Sequence, residues 1–245
     1  MTDQSDTLSL DNIRNVLVRL EETILFGVLE RAQFRQNPVI YKPEGVGREL
    51  GGESLVQYLL HECERSHAKV RRYTSPDEHP FFHDLPAPIL PAAVYANPLR
   101  PNTININDRI WAAYVDEIVP FLCAAGDDRQ WGSSSVNDVY LLQALSKRIH
   151  YGKFVAESKC RARPEQFDPL IRAGDADALR EAITDVAVEK AVLDRVDRKA
   201  STYSRELEAI PGQTIADHAA VRELYARWII PMNKDVQVLY LLDRH

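Results

Sequence analysis

Apolar residues recur at helical spacing through most of the chain. Ile13, Val16, Leu17, Leu20, Ile24 and Val28 each lie three or four residues from another of the set. That spacing puts them on one face of a helix over about 9–33, with Ser9 or Asp11 as its N-cap. Leu55, Tyr58, Leu59 and Val70 mark a second helix from about Ser54 to Arg72. The pattern resumes near Asp108 and runs through Ile110, Tyr114, Ile118 and Leu122. Gly132-Ser133-Ser134-Ser135 then offers caps for a long helix over about 136–161. Leu179, Ala182, Val186, Leu193 and Val196 predict a helix over about 177–200. A last helix covers about 217–243, with Asp217 as its cap and a kink at Pro231. Between Pro76 and Pro101 lie seven of the fourteen prolines. Such a run cannot be regular helix, so it reads as an extended connection. Its Phe81, Phe82, Leu85, Ile89, Leu90 and Tyr95 are expected to pack on the helices. No strand pairs, hairpin turns or repeats are evident, and the class is all-α.

Several polar residues interrupt these stripes. Arg148 and Lys159 are eleven residues apart, about 20° past three full helical turns, and so share a face roughly 16 Å long. Gly152, Val155 and Ala156 fall between them on that face. A glycine in mid-helix costs about 1 kcal/mol relative to alanine, so close approach of a ligand or a second helix is expected at Gly152. Glu189 lies on the apolar stripe of its helix, with Asp185 four residues before it. Asn233 and Gln237 are four apart on the stripe of the last helix, and Arg14 borders the first. Singly, each has a plain structural explanation: an ion pair, a satisfied core amide, a snorkelling arginine. Together, three cations, two carboxylates and two amides on inward faces are explained at once by a shared polar pocket inside a bundle.

A chain of 245 residues is enough for one large domain or two small fused lobes, with a sizeable core. The formal net charge of −6 argues against a nucleic-acid partner, but not against a small anion, since local charge governs a pocket. There is no apolar run at the N-terminus, so neither a signal peptide nor a membrane span is expected. Cys63, Cys123 and Cys160 are widely spaced and odd in number, as reduced thiols are. These features lead to the expectation of a cytoplasmic protein. His61 and His67 flank Cys63, which reads as surface chemistry rather than a zinc site. No Ser-His-Asp logic, metal-ligand spacing or phosphate loop is found.

The residues that break the stripes also carry a family resemblance. The chain resembles the eukaryotic, allosteric type of all-helical chorismate mutase. The matching segments are Asn12-Ile13-Arg14 with Leu17-Val18-Arg19-Leu20-Glu21, then Arg71-Arg72-Tyr73 with Ser75-Pro76-Asp77-Glu78 and Pro80-Phe81-Phe82. They continue with Arg148 to Lys159, Ala187-Val188-Glu189-Lys190, and Ile230-Pro231 with Lys234-Asp235-Val236. The resemblance covers nearly the whole chain, and its longest block is Arg148 to Lys159. It implies one domain over 1–245, with catalytic helices at about 9–33, 136–161, 177–200 and 217–243 and a regulatory and dimer region at about 54–135.

It further implies a Claisen rearrangement of chorismate to prephenate, which needs no cofactor, metal or nucleophile. Arg14 and Arg148 match the arginines that bind the two substrate carboxylates. Lys159 matches the lysine that donates to the ether oxygen, and Glu189 the glutamate that accepts from the ring hydroxyl. Three positions depart from the fungal pattern: Asp185 for asparagine, Asn233 for threonine and Gln237 for glutamate. Gln237 remains a catalytic donor to the ether oxygen, and Asp185 and Asn233 remain substrate-binding. The departures leave room for a related substrate, isochorismate or 4-amino-4-deoxychorismate; a non-catalytic regulatory relative is the other alternative. Members of this type are homodimers that respond to tyrosine and tryptophan between subunits. Arg71, Arg72, Gly132 and Ser133 match positions of that effector site. Val136 stands where a threonine is usual, and Asp217 where the fungal switch threonine would be.

Overall fold

The computed structural model describes residues 10–92, 97–208 and 218–244, and every regular element among them is helical. Helix α1 (Leu10–Arg31) buries Ile13, Leu20, Ile24 and Val28, the stripe expected of it. The candidate caps Ser9 and Asp217, and Tyr95 of the proline-rich run, lie outside the described residues or side chains. Helix α2 (Leu55–Lys69) opens with a capping box: Ser54 Oγ accepts from the Gln57 N–H at 3.2 Å, and Gln57 Oε1 accepts from the Ser54 N–H at 3.0 Å. It stops short of Arg72 because Arg71 adopts a left-handed backbone, φ 66°.

The described part of the proline-rich run is extended, as expected. Phe81 and Phe82 pack half-buried on the core, with their N–H groups on the buried Glu64 carboxylate. Ile89 and Leu90 do not pack; they are 73% and 46% exposed. Here the strap crosses the end of α2, beyond the apolar stripe, and is tied by its backbone: Ile89 N–H donates to Lys69 O, and Leu90 O accepts from Arg71 Nε.

The next helical segment has three parts: α3 (Asn107–Ala113), a π turn over Tyr114–Ile118, and α4 (Val119–Leu122). A π turn over Tyr225–Ile229 likewise joins α10 (His218–Leu224) to α11 (Ile230–Leu242). Each π turn ends two residues before a proline, Pro120 or Pro231. A proline ring collides with the carbonyl four residues back in an α-helix. The widened turn moves that carbonyl aside, so at Pro231 the helix bulges instead of simply kinking. Each turn begins at a fully buried tyrosine, Tyr114 or Tyr225.

Helix α5 (Trp131–His150) starts earlier than expected. Ser134 N–H already bonds Gln130 O at 2.9 Å. Gly132 to Ser135 therefore form its first turn rather than its cap. A one-residue turn at Tyr151 separates it from α6 (Gly152–Ala162). Helix α7 (Pro164–Ala173), not anticipated, follows. The helix expected over 177–200 is two: α8 (Ala176–Ile183) and α9 (Val186–Glu208). Thr184 is extended, and Asp185 Oδ1 accepts from the Val188 N–H at 3.1 Å, starting α9 afresh. Val186, assigned to the buried stripe, is 74% exposed for this reason, whereas Leu179 and Val196 are buried.

Two apolar clusters hold the helices. The larger joins α1, α2, α3, α5, α9 and α10 around Ile24, Leu60, Leu142 and Tyr225. The smaller joins α6, α7, α8 and α11 around Phe154, Phe167, Leu179 and Leu241, and takes in Ile13 of α1. The polar residues singled out in the sequence lie where these clusters meet.

Candidate active site

One cavity of about 120 Å³ is lined by Arg148, Lys159, Asp185, Glu189, Asn233 and Gln237, six of the seven residues expected in a pocket. Leu17, Val155, Ile183, Val188, Val192 and Ile230 supply its apolar walls. The seventh residue, Arg14, is exposed and lines an adjoining cavity of about 370 Å³ that shares Leu17, Arg148, Val188 and Val192 with the first. Lys234 also lines the first cavity. It stood in a matched segment without a role; its place three residues before Gln237 was the available signal. Arg195 is a further residue that the sequence did not single out. It lines the second cavity and is held by a bidentate pair with Glu21 at 2.6 and 2.8 Å.

Arg148 lies in the last turn of α5, where only 5% of its surface is exposed. Its guanidinium lies 5.9 Å from the centre of the Tyr225 ring, which the π turn carries to this point. Its Nε has no hydrogen-bond partner, and no carboxylate pairs with it among the described residues. A buried cation without an anion is costly, so this group is set up to receive one.

Lys159 reaches across from α6 and donates to Ile183 O, one of the carbonyls left open at the end of α8. Burial lowers its pKa, as do Arg163 and Lys234, against the opposing pull of Asp185 and Glu189. Glu189 sits in the first turn of α9 and is bridged by Lys234 at 3.0 Å. Asp185 is exposed at the mouth, where its carboxylate also caps α9.

The two amides come from adjacent turns of α11. Asn233 Nδ2 donates to Arg148 O at 3.2 Å and Ile149 O at 3.0 Å, the carbonyls beside the Tyr151 turn. Asn233 Oδ1 accepts from Gln237 Nε2 at 2.9 Å. Gln237 is 4% exposed, and its Oε1 has no partner. Gly152 has the neighbour its presence predicted: a Cβ there would lie 2.7 Å from Asn233 O. The glycine lets α11 press against the start of α6.

The effector candidates lie elsewhere. Arg72 bonds Glu78 at 3.0 Å and Gln143 at 2.9 Å, and Arg71 holds the strap. Gly132 and Ser133 are exposed in the first turn of α5, eleven and ten residues from Gln143, or about 15–16 Å along the helix. Within one chain the two pairs are therefore apart.

A bundle that encloses several cations, a carboxylate and two amides around a small apolar-walled cavity belongs to the class of all-helical enzymes that grip a small anion. Residues 133–238 match the family described as chorismate mutase type II. The chain is 46% identical over 247 residues to a chorismate mutase of Schizosaccharomyces pombe, with 98% of each chain covered. The solved structure of AtCM1 with tyrosine bound in its allosteric site superposes with a TM-score of 0.90 at 46% identity, covering 99% of this chain and 98% of that one. A chorismate mutase from Candida albicans in complex with L-Trp gives 0.91 at 38% identity, covering 99% and 94%. The chain belongs to the chorismate mutase family; its activity is chorismate mutase activity, an isomerisation, and its all-helical fold is the one expected from the sequence.

Proposed function

We propose that the joined cavities bind chorismate in its compact reactive shape, with Arg148 and Arg14 on its two carboxylates. The observation that carries this is Arg148 itself: buried, aimed into the cavity and without a carboxylate partner. The rearrangement breaks the ether C–O bond and forms a C–C bond within one molecule, and no proton changes hands. The protein's part is therefore to orient the substrate and to stabilise the charge that grows on the ether oxygen. Lys159 and Gln237 donate to that oxygen. Glu189 exchanges some of its hold on Lys234 for the ring hydroxyl, and Asp185 lies at the same end of the cavity. Substrate carboxylates also favour the charged form of Lys159, offsetting the burial that lowers its pKa. The test is a side-by-side assay of purified protein with chorismate, isochorismate and 4-amino-4-deoxychorismate. Rapid conversion of chorismate to prephenate supports this reading. Preference for either relative would reassign the substrate.

We also propose a homodimer in which Arg71 and Arg72 of one copy and Gly132 and Ser133 of the other share an effector site for tyrosine or tryptophan. The separation of the two pairs within one chain supports it, as do the relatives solved with these amino acids. Rates measured with each amino acid, for wild type and Arg72→Ala, test it; a response unchanged in the variant would refute it.

A further inference from the structure

We infer that Asn233 is a positioning residue, which acts on the reaction through Gln237 and fixes which edge of the Gln237 carboxamide the substrate meets. The inference rests on the role of Gln237 given above. Its geometry begins at the Tyr151 turn. Arg148 and Lys159 stand on opposite sides of that turn, so their relative placement depends on its shape. The Asn233 carboxamide sits against it, with Nδ2 between the carbonyls of Arg148 and Ile149. A carbonyl oxygen only accepts, so the edge of Asn233 that faces α5 must be its NH₂. Its oxygen is then turned the other way, toward Gln237. That oxygen also only accepts, so Gln237 must present its NH₂. Turning Gln237 over would set oxygen against oxygen in a buried site. A chain of two carboxamides thus carries the orientation of the α5 backbone to the wall of the cavity. It leaves the second Gln237 N–H and the unpartnered Oε1 for the ligand.

Gly152 allows this arrangement, because any side chain there would strike the Asn233 backbone. It also accounts for two departures from the fungal pattern together. Asn233 supplies donors to two carbonyls and an acceptor to Gln237 at once; a threonine hydroxyl has a single donor and is one atom shorter.

The test combines kinetics with a readout that does not depend on turnover. Asn233→Ala is expected to lower kcat at least tenfold with KM within about twofold, and Gln237→Met to lower kcat comparably. In the Gln237→Met background, Asn233→Ala should cost less than a further twofold. In protein labelled with [¹⁵N]glutamine, the Gln237 side-chain amide should be shifted and slow to exchange in wild type, and should return to the free-amide position in Asn233→Ala. Asn233→Thr is run beside it, with the same dependence on Gln237 expected, in case the alanine variant does not fold. An equal kcat loss from the Asn233 change in both backgrounds would overturn the proposal in favour of a purely structural role. A rise in KM alone would overturn it in favour of direct substrate contact. If Gln237→Met keeps full kcat, the catalytic role of Gln237 fails. The amide signal then still decides the positioning claim, which falls if that signal is the same with and without Asn233.

Discussion

Gly152→Ala is the sharpest single perturbation of the site. Helix propensity makes alanine about 1 kcal/mol more stable than glycine in a helix interior, an upper bound at Gly152, the first residue of α6. Here the added Cβ would lie 2.7 Å from Asn233 O and 3.0 Å from its Nδ2. The first obstacle is backbone and cannot swing aside. Restoring an ordinary contact of 3.4 Å requires α6 and α11 to part by about 0.7 Å. Overpacking of this kind costs about 1–3 kcal/mol. Set against the helix gain, the net is a loss of about 1 kcal/mol, or a fall in melting temperature of roughly 2–4 °C for a chain of this size. The same displacement moves Asn233 and Gln237 on one wall against Lys159 on the other, and misplacement by about 1 Å can cost on the order of 100-fold in rate. The expected result is a folded, slightly destabilised enzyme with kcat down by about 10- to 100-fold. The assay is thermal unfolding beside chorismate consumption. A variant as stable as wild type or more so, with full kcat, would refute the close-contact argument.

Gln237→Glu should make the enzyme prefer acid. The new carboxyl is buried against Asn233 Oδ1, which disfavours its ionised form, and it donates to the ether oxygen only when protonated; full activity at pH 8 would contradict this. Wild type, with an amide that donates at any pH, should stay flat through neutral pH. Its kcat/KM should fall on the alkaline side as the lowered pKa of Lys159 is passed, and kcat should fall at higher pH, because bound substrate holds the charge; identical alkaline limbs would count against that coupling. Burial and nearby charge hold His79 down to about 2 and His150 to about 4. Both are neutral in the fold: His150 Nε2 accepts from the Ile106 N–H, and His79 Nε2 accepts from Lys153. With both folded pKa values below the unfolded 6.5, the stability they contribute is complete above about pH 6.5. It is lost as pH falls below that, down to about 4 for His150 and about 2 for His79, at up to about 1.4 kcal/mol per pH unit for each group. Melting temperatures at pH 7 and pH 5 should show this, with a smaller drop in His79→Gln; equal drops would refute it.

The helical class, the stripe of α1 and most polar members of the pocket were legible in the sequence, because each rests on local periodicity or on polar residues that violate it. The break at Thr184 and Asp185 was not, since it inserts no residue into the apolar spacing, and Val186 continues the stripe on paper. The π turns add a residue within a continuous helix, and Pro120 and Pro231 were their only local signal. Helix α7 was not anticipated: it is ten residues long and carries Pro164 in its first turn and Pro169 within it, although Phe167 and Ile171 bury its inner face. Ile89 and Leu90 were expected to be buried on hydrophobicity alone, but their place on the surface is set by backbone bonds to Lys69 and Arg71. Lys234 shows the same limit within the site: its ion pair with Glu189 joins α9 to α11, and nothing in either segment by itself announces the other.

The central claim is that the enclosed cations and amides catalyse by electrostatic stabilisation of one bound anion. The most direct test is kcat/KM for the loss of chorismate by Lys159→Met, measured beside its melting curve. Losing a principal donor to developing negative charge should cost about 3–4 kcal/mol, or roughly 10²–10³ in rate, with unfolding little changed. Near-wild-type activity, or a loss explained by unfolding alone, would contradict the account.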